Sequence, residues 1–168
     1  FDRGHLLTEQ CNPLSAQLDQ LETGDLVDLF VQEDRRPQEA VAAVACELAE
    51  AADAISARLR QGGRLFYLGA GTSGRLGVLD AAECPPTFCS DPEMVQGVLA
   101  GGAPALLRSS EGLEDLEESA HADLDQRGFD HRDCLVGIAA GGTTPYVRGG
   151  LTHARALGAL AIAMACVA

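Results

Sequence analysis

Short apolar runs alternate with amphipathic stretches along most of this chain. Four runs predict buried strands, at residues 65–68, 95–99, 135–139 and 159–166. Helical spacing predicts helices between them, at 72–82, 103–107, 113–126 and 145–157. Strands that alternate with helices pair in parallel through right-handed crossovers, and their helices cover both faces of the sheet. The pattern therefore predicts an α/β fold with three layers, helix, sheet and helix.

The first 61 residues have a different pattern. Weak periodicity over 1–23 predicts an extended arm, and residues 25–31 predict a short capped helix. Apolar residues at helical spacing predict one long helix from Pro37 to about Gln61, ended by two glycines. We therefore predict a helical amino-terminal arm over 1–61 and an α/β domain over 62–168.

Composition removes several classes of function. The 168 residues carry a formal net charge of −13, which disfavours a general nucleic-acid binder. Every basic side chain is arginine, so a GK[ST] phosphate loop and a lysine base are excluded. No apolar run approaches the ~20 residues of a spanning helix, so no membrane partner is expected.

The cysteines and histidines do not form metal-binding patterns. The six cysteines are scattered, with no CxxC spacing, which favours reduced thiols in a cytoplasmic protein. The four histidines form no HxxxH or HxH pair, so a structural zinc site is not expected.

Two glycine loops of similar composition follow predicted strands. The first glycine loop is residues 69–74, and the second glycine loop is residues 140–144. Each places glycines and hydroxyl side chains just before a helix, where backbone N–H groups suit a phosphate group. The candidate phosphate-binding residues are Gly71, Thr72, Ser73, Gly74, Gly142, Thr143 and Thr144.

Two other interpretations of these loops stay open. The first loop also fits a GxGxxG dinucleotide fingerprint, with Asp91 near the spacing of a ribose-binding acid. Asp91 is predicted in the turn before the second strand, however, whereas a ribose acid follows that strand. Turns with a purely structural role are the third interpretation. We favour a site for a phosphate monoester.

Three glutamates are candidates for acid–base chemistry. Glu83 directly precedes Cys84 and two prolines, near the mouth of the first glycine loop, and Glu111 and Glu114 lie near a helix start. Solvated or capping carboxylates explain the same positions. Arg75 is interpreted either as a ligand-neutralising cation or as a partner of Asp80. Cys84 has no histidine at a motif position, which disfavours a nucleophile.

The segment 62–87 contains GTSGRLGVLDAAECPPT, which resembles the signature of N-acetylmuramic acid 6-phosphate etherases in the sugar isomerase (SIS) superfamily. Further matches are EGLED at 111–115, GIAA at 137–140, TPYV at 144–147, and LTEQ with Asn12-Pro13 in the arm. The resemblance covers nearly the whole chain and implies a SIS-type domain over 62–168.

The resemblance implies cleavage of the D-lactyl ether by elimination and then hydration, giving N-acetylglucosamine 6-phosphate and D-lactate in cell-wall amino-sugar recycling. It places the general acid at Glu83 and the base at Glu114, and the phosphate on the two loops. It implies a sugar phosphate as the small-molecule partner, a homodimer, and no cofactor or metal. Family members carry serine at the position of Gly141 and arginine at that of Thr143, which weakens the second loop.

Two other functions remain within the same superfamily. One is a non-catalytic sugar-phosphate-binding regulator, and the other is a sugar-phosphate isomerase. Family members also continue for about 100–150 further residues, the scale of another domain. We therefore expect a truncated SIS domain whose apolar strand 159–166 lacks the family's fifth strand as a neighbour.

Overall fold

The computed structural model describes residues 4–108 and 112–167. The chain divides into two compact units, Phe1–Ala52 and Asp53–Ala168. The division lies within a helix, α3 (Ala45–Arg60). No helix in the described ranges is long and apolar enough to cross a membrane.

The first unit contains short turns and helices. Single 3-10 turns occur at Leu7–Glu9, Pro13–Ser15 and Leu18–Gln20, followed by helices α1 (Thr23–Glu33), α2 (Arg35–Ala43) and the start of α3. The predicted extended arm is therefore wrong, because three 3-10 turns bend it. Asn12 caps the second turn, where its side chain accepts a hydrogen bond from the Leu14 N–H. The predicted long helix is also two helices, separated at Val44.

The second unit contains a four-stranded sheet. Its strands are β1 (Leu65–Gly69), β2 (Val95–Leu99), β3 (Cys134–Ile138) and β4 (Leu160–Met164). Their order is β2-β1-β3-β4, and all neighbours pair in parallel. The helices are α4 (Gly71–Phe88), α5 (Pro104–Leu107), α6 (Glu117–Asp125) and α7 (Pro145–Ala156). The predicted α/β class and all four strands are confirmed.

Apolar side chains cover both faces of the sheet. On one face, Leu65, Cys134 and Val136 pack with the end of α3, and α4 lies over β1 and β2. On the other face, Phe66, Leu135 and their neighbours form the larger core cluster with α6 and α7. Burial on both faces explains why the strands are continuous apolar runs.

Helix α4 continues past the predicted break at Pro85-Pro86. The prolines remove two N–H donors, but both lie close to the helix end and their restricted backbone angle suits a helix. The helix closes where the Cys89 N–H donates to the Pro85 carbonyl, 2.9 Å away. Cys89 itself adopts the left-handed conformation, with φ of 54°. The helix is therefore six residues longer than the predicted end at Ala82.

The predicted acidic helix 113–126 is divided in two. A 3-10 turn, Leu113–Asp115, is separated from α6 by Leu116, whose backbone is extended. Helix α7 explains the break, because its Gly149 passes so close that a Cβ there would lie 2.5 Å from the Glu117 carbonyl oxygen. A tertiary contact therefore sets the start of α6.

Candidate sugar-phosphate site

The first glycine loop makes a tight connection between β1 and α4. Gly69 and Gly74 lie backbone against backbone, since a Cβ on Gly74 would lie 2.5 Å from the Gly69 carbonyl oxygen. Gly71 has a φ of 53°, which favours glycine. No side chain caps α4, so the first-turn N–H groups of Thr72 and Ser73 have no intrahelical acceptor. These N–H groups and two hydroxyls suit an anion.

The second glycine loop leaves the sheet beside the first. Gly69 and Ile138 are register partners at the ends of β1 and β3, so both loops start at neighbouring positions on one edge. Gly142 has a φ of 65°, and its N–H donates to the Ala139 carbonyl, 2.9 Å away. Thr144 makes no side-chain cap bond to α7, so its hydroxyl is available to a ligand. The structure thus brings the two predicted loops together.

Glu114 lies in the 3-10 turn Leu113–Asp115 and is exposed. This turn packs against α7, the helix that begins directly after the second glycine loop. The turn is therefore held beside the elements that carry the candidate phosphate site. Glu111 lies outside the described residues.

Glu83 is not at the mouth of the first glycine loop. It is an exposed residue in the second turn from the end of α4, twelve residues after Gly71. At 1.5 Å per residue, about 18 Å of helix separates it from that loop. The predicted position was wrong because the helix that begins at the first glycine loop, α4, carries Glu83 toward its opposite end. The catalytic role assigned to Glu83 stays a prediction.

Asp91 lies in a turn before β2, where its carboxylate accepts a hydrogen bond of 2.8 Å from the Glu93 N–H. This is the opposite edge of the sheet from the glycine loops, since the strands are parallel and β2 begins at Val95. A ribose-binding acid of a dinucleotide site would lie at the edge that carries the loops. Asp91 therefore has a turn-forming role.

Arg75 links α4 to α5. Its Nε donates to the carbonyls of Ala105 and Leu106, at 3.0 and 3.2 Å. Among the described hydrogen bonds, Arg75 therefore pairs with these two carbonyls and not with the predicted Asp80.

The Cys84 thiol is not activated as a nucleophile. Burial, followed by the charge of Asp80, raises the pKa of this thiol, which disfavours the thiolate.

One pair near the loops had no signal in the sequence. The Tyr146 hydroxyl donates to Asp123 Oδ2 at 2.6 Å, joining α7 to α6. The two residues are 23 positions apart and belong to no spacing motif. Tyr146 lies in the TPYV match, but only the packed helices show which carboxylate it meets.

Comparison with known proteins places these features in a family. A model described as the glucokinase regulatory protein N-terminal SIS domain matches residues 47–155. The chain belongs to this SIS-domain family. The match spans both glycine loops and Glu114, so the SIS domain contains the whole candidate phosphate site.

The curated proteins that are similar in sequence to this chain are named N-acetylmuramic acid 6-phosphate etherases. The chain is 78% identical over 166 residues to the N-acetylmuramic acid 6-phosphate etherase of Parasynechococcus marenigrum (strain WH8102), covering 99% of this chain and 52% of the relative. It is 63% identical to the one of Trichormus variabilis (strain ATCC 29413 / PCC 7937), covering 99% and 54%. The chain spans about half the length of these relatives. The resemblance inferred from the sequence is confirmed.

A solved structure supports the fold of the SIS domain. The phosphoheptose isomerase of Neisseria gonorrhoeae superposes with a TM-score of 0.61 over 84% of this chain and 74% of its own. Sequence identity is 19%, so this likeness concerns the fold alone.

Proposed function

We propose that this chain forms part of an N-acetylmuramic acid 6-phosphate etherase, a carbon–oxygen lyase. The observation that carries the proposal is the pair of glycine loops at adjacent strand ends, in a chain 78% identical to an etherase. The loops supply hydroxyl and N–H donors for the sugar phosphate, from Gly71–Gly74 and Gly142–Thr144.

The reaction requires two carboxylates with opposite tasks. In the opened sugar, the aldehyde acidifies the proton at carbon 2, which a carboxylate can remove. The lactate oxygen at carbon 3 leaves only if an acid protonates it. We assign proton removal to Glu114, whose turn packs beside the phosphate loops, and protonation of the lactate oxygen to Glu83.

The position of Glu83 supports a homodimer that shares its sites. Glu83 lies about 18 Å along α4 from its own first loop, but its exposed carboxylate can reach a second copy. Leu76 and Leu79 occupy the same face of α4 as Glu83 and are each 58% exposed. An exposed apolar helix face is typical of an interface. We propose that Glu83 of one protomer completes the site of its partner.

We also propose a cytoplasmic location, which the cysteines support. All six are free thiols. Burial raises the pKa of the Cys134 thiol to about 11, which keeps it protonated inside the sheet.

A regulator is the second candidate function, since the matching family model is that of a regulatory protein domain. Such a protein would bind sugar phosphates and release no lactate. The ECPPT segment, which contains Glu83, favours the enzyme.

Binding of N-acetylglucosamine 6-phosphate tests the phosphate site. We expect calorimetric titration of this chain to show binding, and the unphosphorylated sugar to bind at least about tenfold more weakly, because it lacks the charge-assisted bonds to both loops. The variant Thr72→Val, in the first loop, should weaken binding of the phosphorylated sugar. Its matched control is Thr152→Val, at an exposed threonine of α7 outside both loops, which should leave the affinity unchanged. Equal affinity for both sugars would contradict the phosphate site.

Release of D-lactate separates the enzyme from the regulator. This chain, alone and extended to the length of its curated relatives, is incubated with N-acetylmuramic acid 6-phosphate, and D-lactate is measured enzymatically. We expect the extended protein to release lactate. Tight sugar-phosphate binding without release would establish the regulator instead.

A further inference from the structure

A cavity of about 330 Å³ lies in the second unit. It is lined by Gly101, Gly102, Leu113, Ser119, Asp123 and Tyr146. Its volume falls at the lower end of the range for small-molecule pockets.

The cavity opens at the edge of the sheet that carries the glycine loops. Gly101 and Gly102 follow the end of β2, and Leu113 belongs to the same 3-10 turn as Glu114. Tyr146 is the second residue of α7, directly beyond the second glycine loop. Because β1 lies between β2 and β3, the cavity and both loops surround the end of β1.

The polar atoms that line the cavity are mainly acceptors. Tyr146 donates its only hydroxyl proton to Asp123 Oδ2, so its oxygen remains an acceptor. Burial, followed by the bond to Asp123, holds the pKa of Tyr146 above its ordinary range, so the proton stays in place. The second oxygen of Asp123 has no partner among the described bonds.

Ser119 adds a hydroxyl on the same face of α6. Ser119 and Asp123 are four residues apart, so both point to one side of the helix. No lining side chain is positively charged. Arg127 lies on the same segment, but its Nη1 donates to the Asp123 backbone carbonyl at 2.9 Å. The cavity therefore disfavours anions and suits neutral groups that donate hydrogen bonds.

We propose that this cavity binds the hydroxyl and amide N–H groups of the sugar whose phosphate occupies the glycine loops, with Asp123 as the principal acceptor. The proposal rests on the proposed function for the identity of the sugar phosphate. It makes Asp123, Ser119 and Tyr146 determinants of specificity for the sugar, whereas the loops recognise only the phosphate.

Amide chemical shifts of this chain test the proposal. N-acetylglucosamine 6-phosphate should shift the amide signals of Gly101, Gly102 and Ser119 together with those of both loops. Inorganic phosphate should shift the loop signals alone. N-acetylglucosamine at high concentration should shift the cavity signals alone, which gives a readout independent of phosphate binding.

Two variants locate the acceptor. Asp123→Asn should weaken binding of the sugar phosphate about tenfold or more, because a charge-assisted hydrogen bond is lost, and should leave inorganic phosphate unaffected. Asp125→Asn is the matched control, since it makes the same charge change on the same helix at a side chain that is 61% exposed and bonded to His153. It should change neither affinity. Tyr146→Phe nearly conserves the volume of the side chain but removes the hydrogen bond to Asp123. It should therefore weaken binding of the sugar phosphate, because Asp123 is no longer held in position.

The outcomes separate this cavity from the proposed function. If the sugar phosphate shifts only the amide signals of the two loops, the proposal for the cavity is contradicted and the proposed phosphate site is supported. If it shifts only the amide signals of the cavity, the cavity is supported as a sugar site and the proposed phosphate site is contradicted. An absence of shifts in both regions would overturn both.

Discussion

Glu83→Ala, in this chain extended to the length of its curated relatives, should lower D-lactate release by about 10²–10⁴-fold, the usual contribution of a positioned general acid. The lactate oxygen then lacks the positioned acid that protonates it as it leaves. Glu93→Ala provides the control, because Glu93 is an exposed glutamate before β2, at the edge opposite the glycine loops. It should retain full activity.

Exchange of the carbon-2 proton separates the two glutamates. In heavy water, Glu83→Ala should still incorporate deuterium at carbon 2, since the base remains. Glu114→Ala should lose both exchange and lactate release. Exchange that persists in Glu114→Ala and vanishes in Glu83→Ala would reverse the two roles.

Mixing the two inactive variants tests whether Glu83 acts across a dimer. Random exchange of subunits makes about half of the dimers mixed, and each mixed dimer contains one site with both glutamates if Glu83 acts on the partner's site. The mixture should therefore regain about a quarter of the unmodified activity. A mixture that stays inactive after proven subunit exchange would place Glu83 in the site of its own protomer.

Asp133→Ala should destabilise the second unit by about 3–5 kcal/mol, because it removes a buried carboxylate and leaves the backbone N–H groups that donate to it without an acceptor. Asp133 is 2% exposed. Its carboxylate accepts from the Arg64 backbone N–H at 2.8 Å, from Arg64 Nη2 at 2.7 Å and from the Asp130 N–H at 2.9 Å. These bonds hold the start of β1 against the start of β3. Urea denaturation measures the loss in the free energy of unfolding.

The exposed pair of Asp125 and His153 is the control for Asp133. His153 Nε2 and Asp125 Oδ1 are also close, at 2.8 Å, but the Asp125 side chain is 61% exposed. Asp125→Ala should therefore cost less than about 1 kcal/mol. A similar loss from both variants would show that burial does not govern the contribution of Asp133.

Local sequence patterns predicted most of the second unit. The strands β1 to β4 lie within two residues of the predicted runs, because each is a short and largely apolar segment. The glycine loops were also predictable, since glycines between a strand and a helix indicate a tight connection, and Gly71 and Gly142 do adopt positive φ. Their side-by-side position follows from the pairing of β1 with β3, which local patterns do not contain.

Helix boundaries depended on tertiary contacts. The acidic segment has helical propensity throughout, yet Leu116 is extended because α7 approaches Glu117 at Gly149. Conversely, two prolines predicted an early end to α4, but the helix continues to Phe88. Glu83 lies in the part of this helix that is remote from the first glycine loop, which supports the proposed sharing of sites between protomers.

The sequence by itself determined the class of fold, the two glycine loops and the family. The tertiary structure decided which distant side chains meet, as Arg64 meets Asp133 across 69 residues and Tyr146 meets Asp123 across 23. Propensity and periodicity act over a few residues, so they specify elements and their local chemistry. Pairs of buried polar groups form only when packed elements exclude water around them, and their partners are therefore visible only in the folded chain.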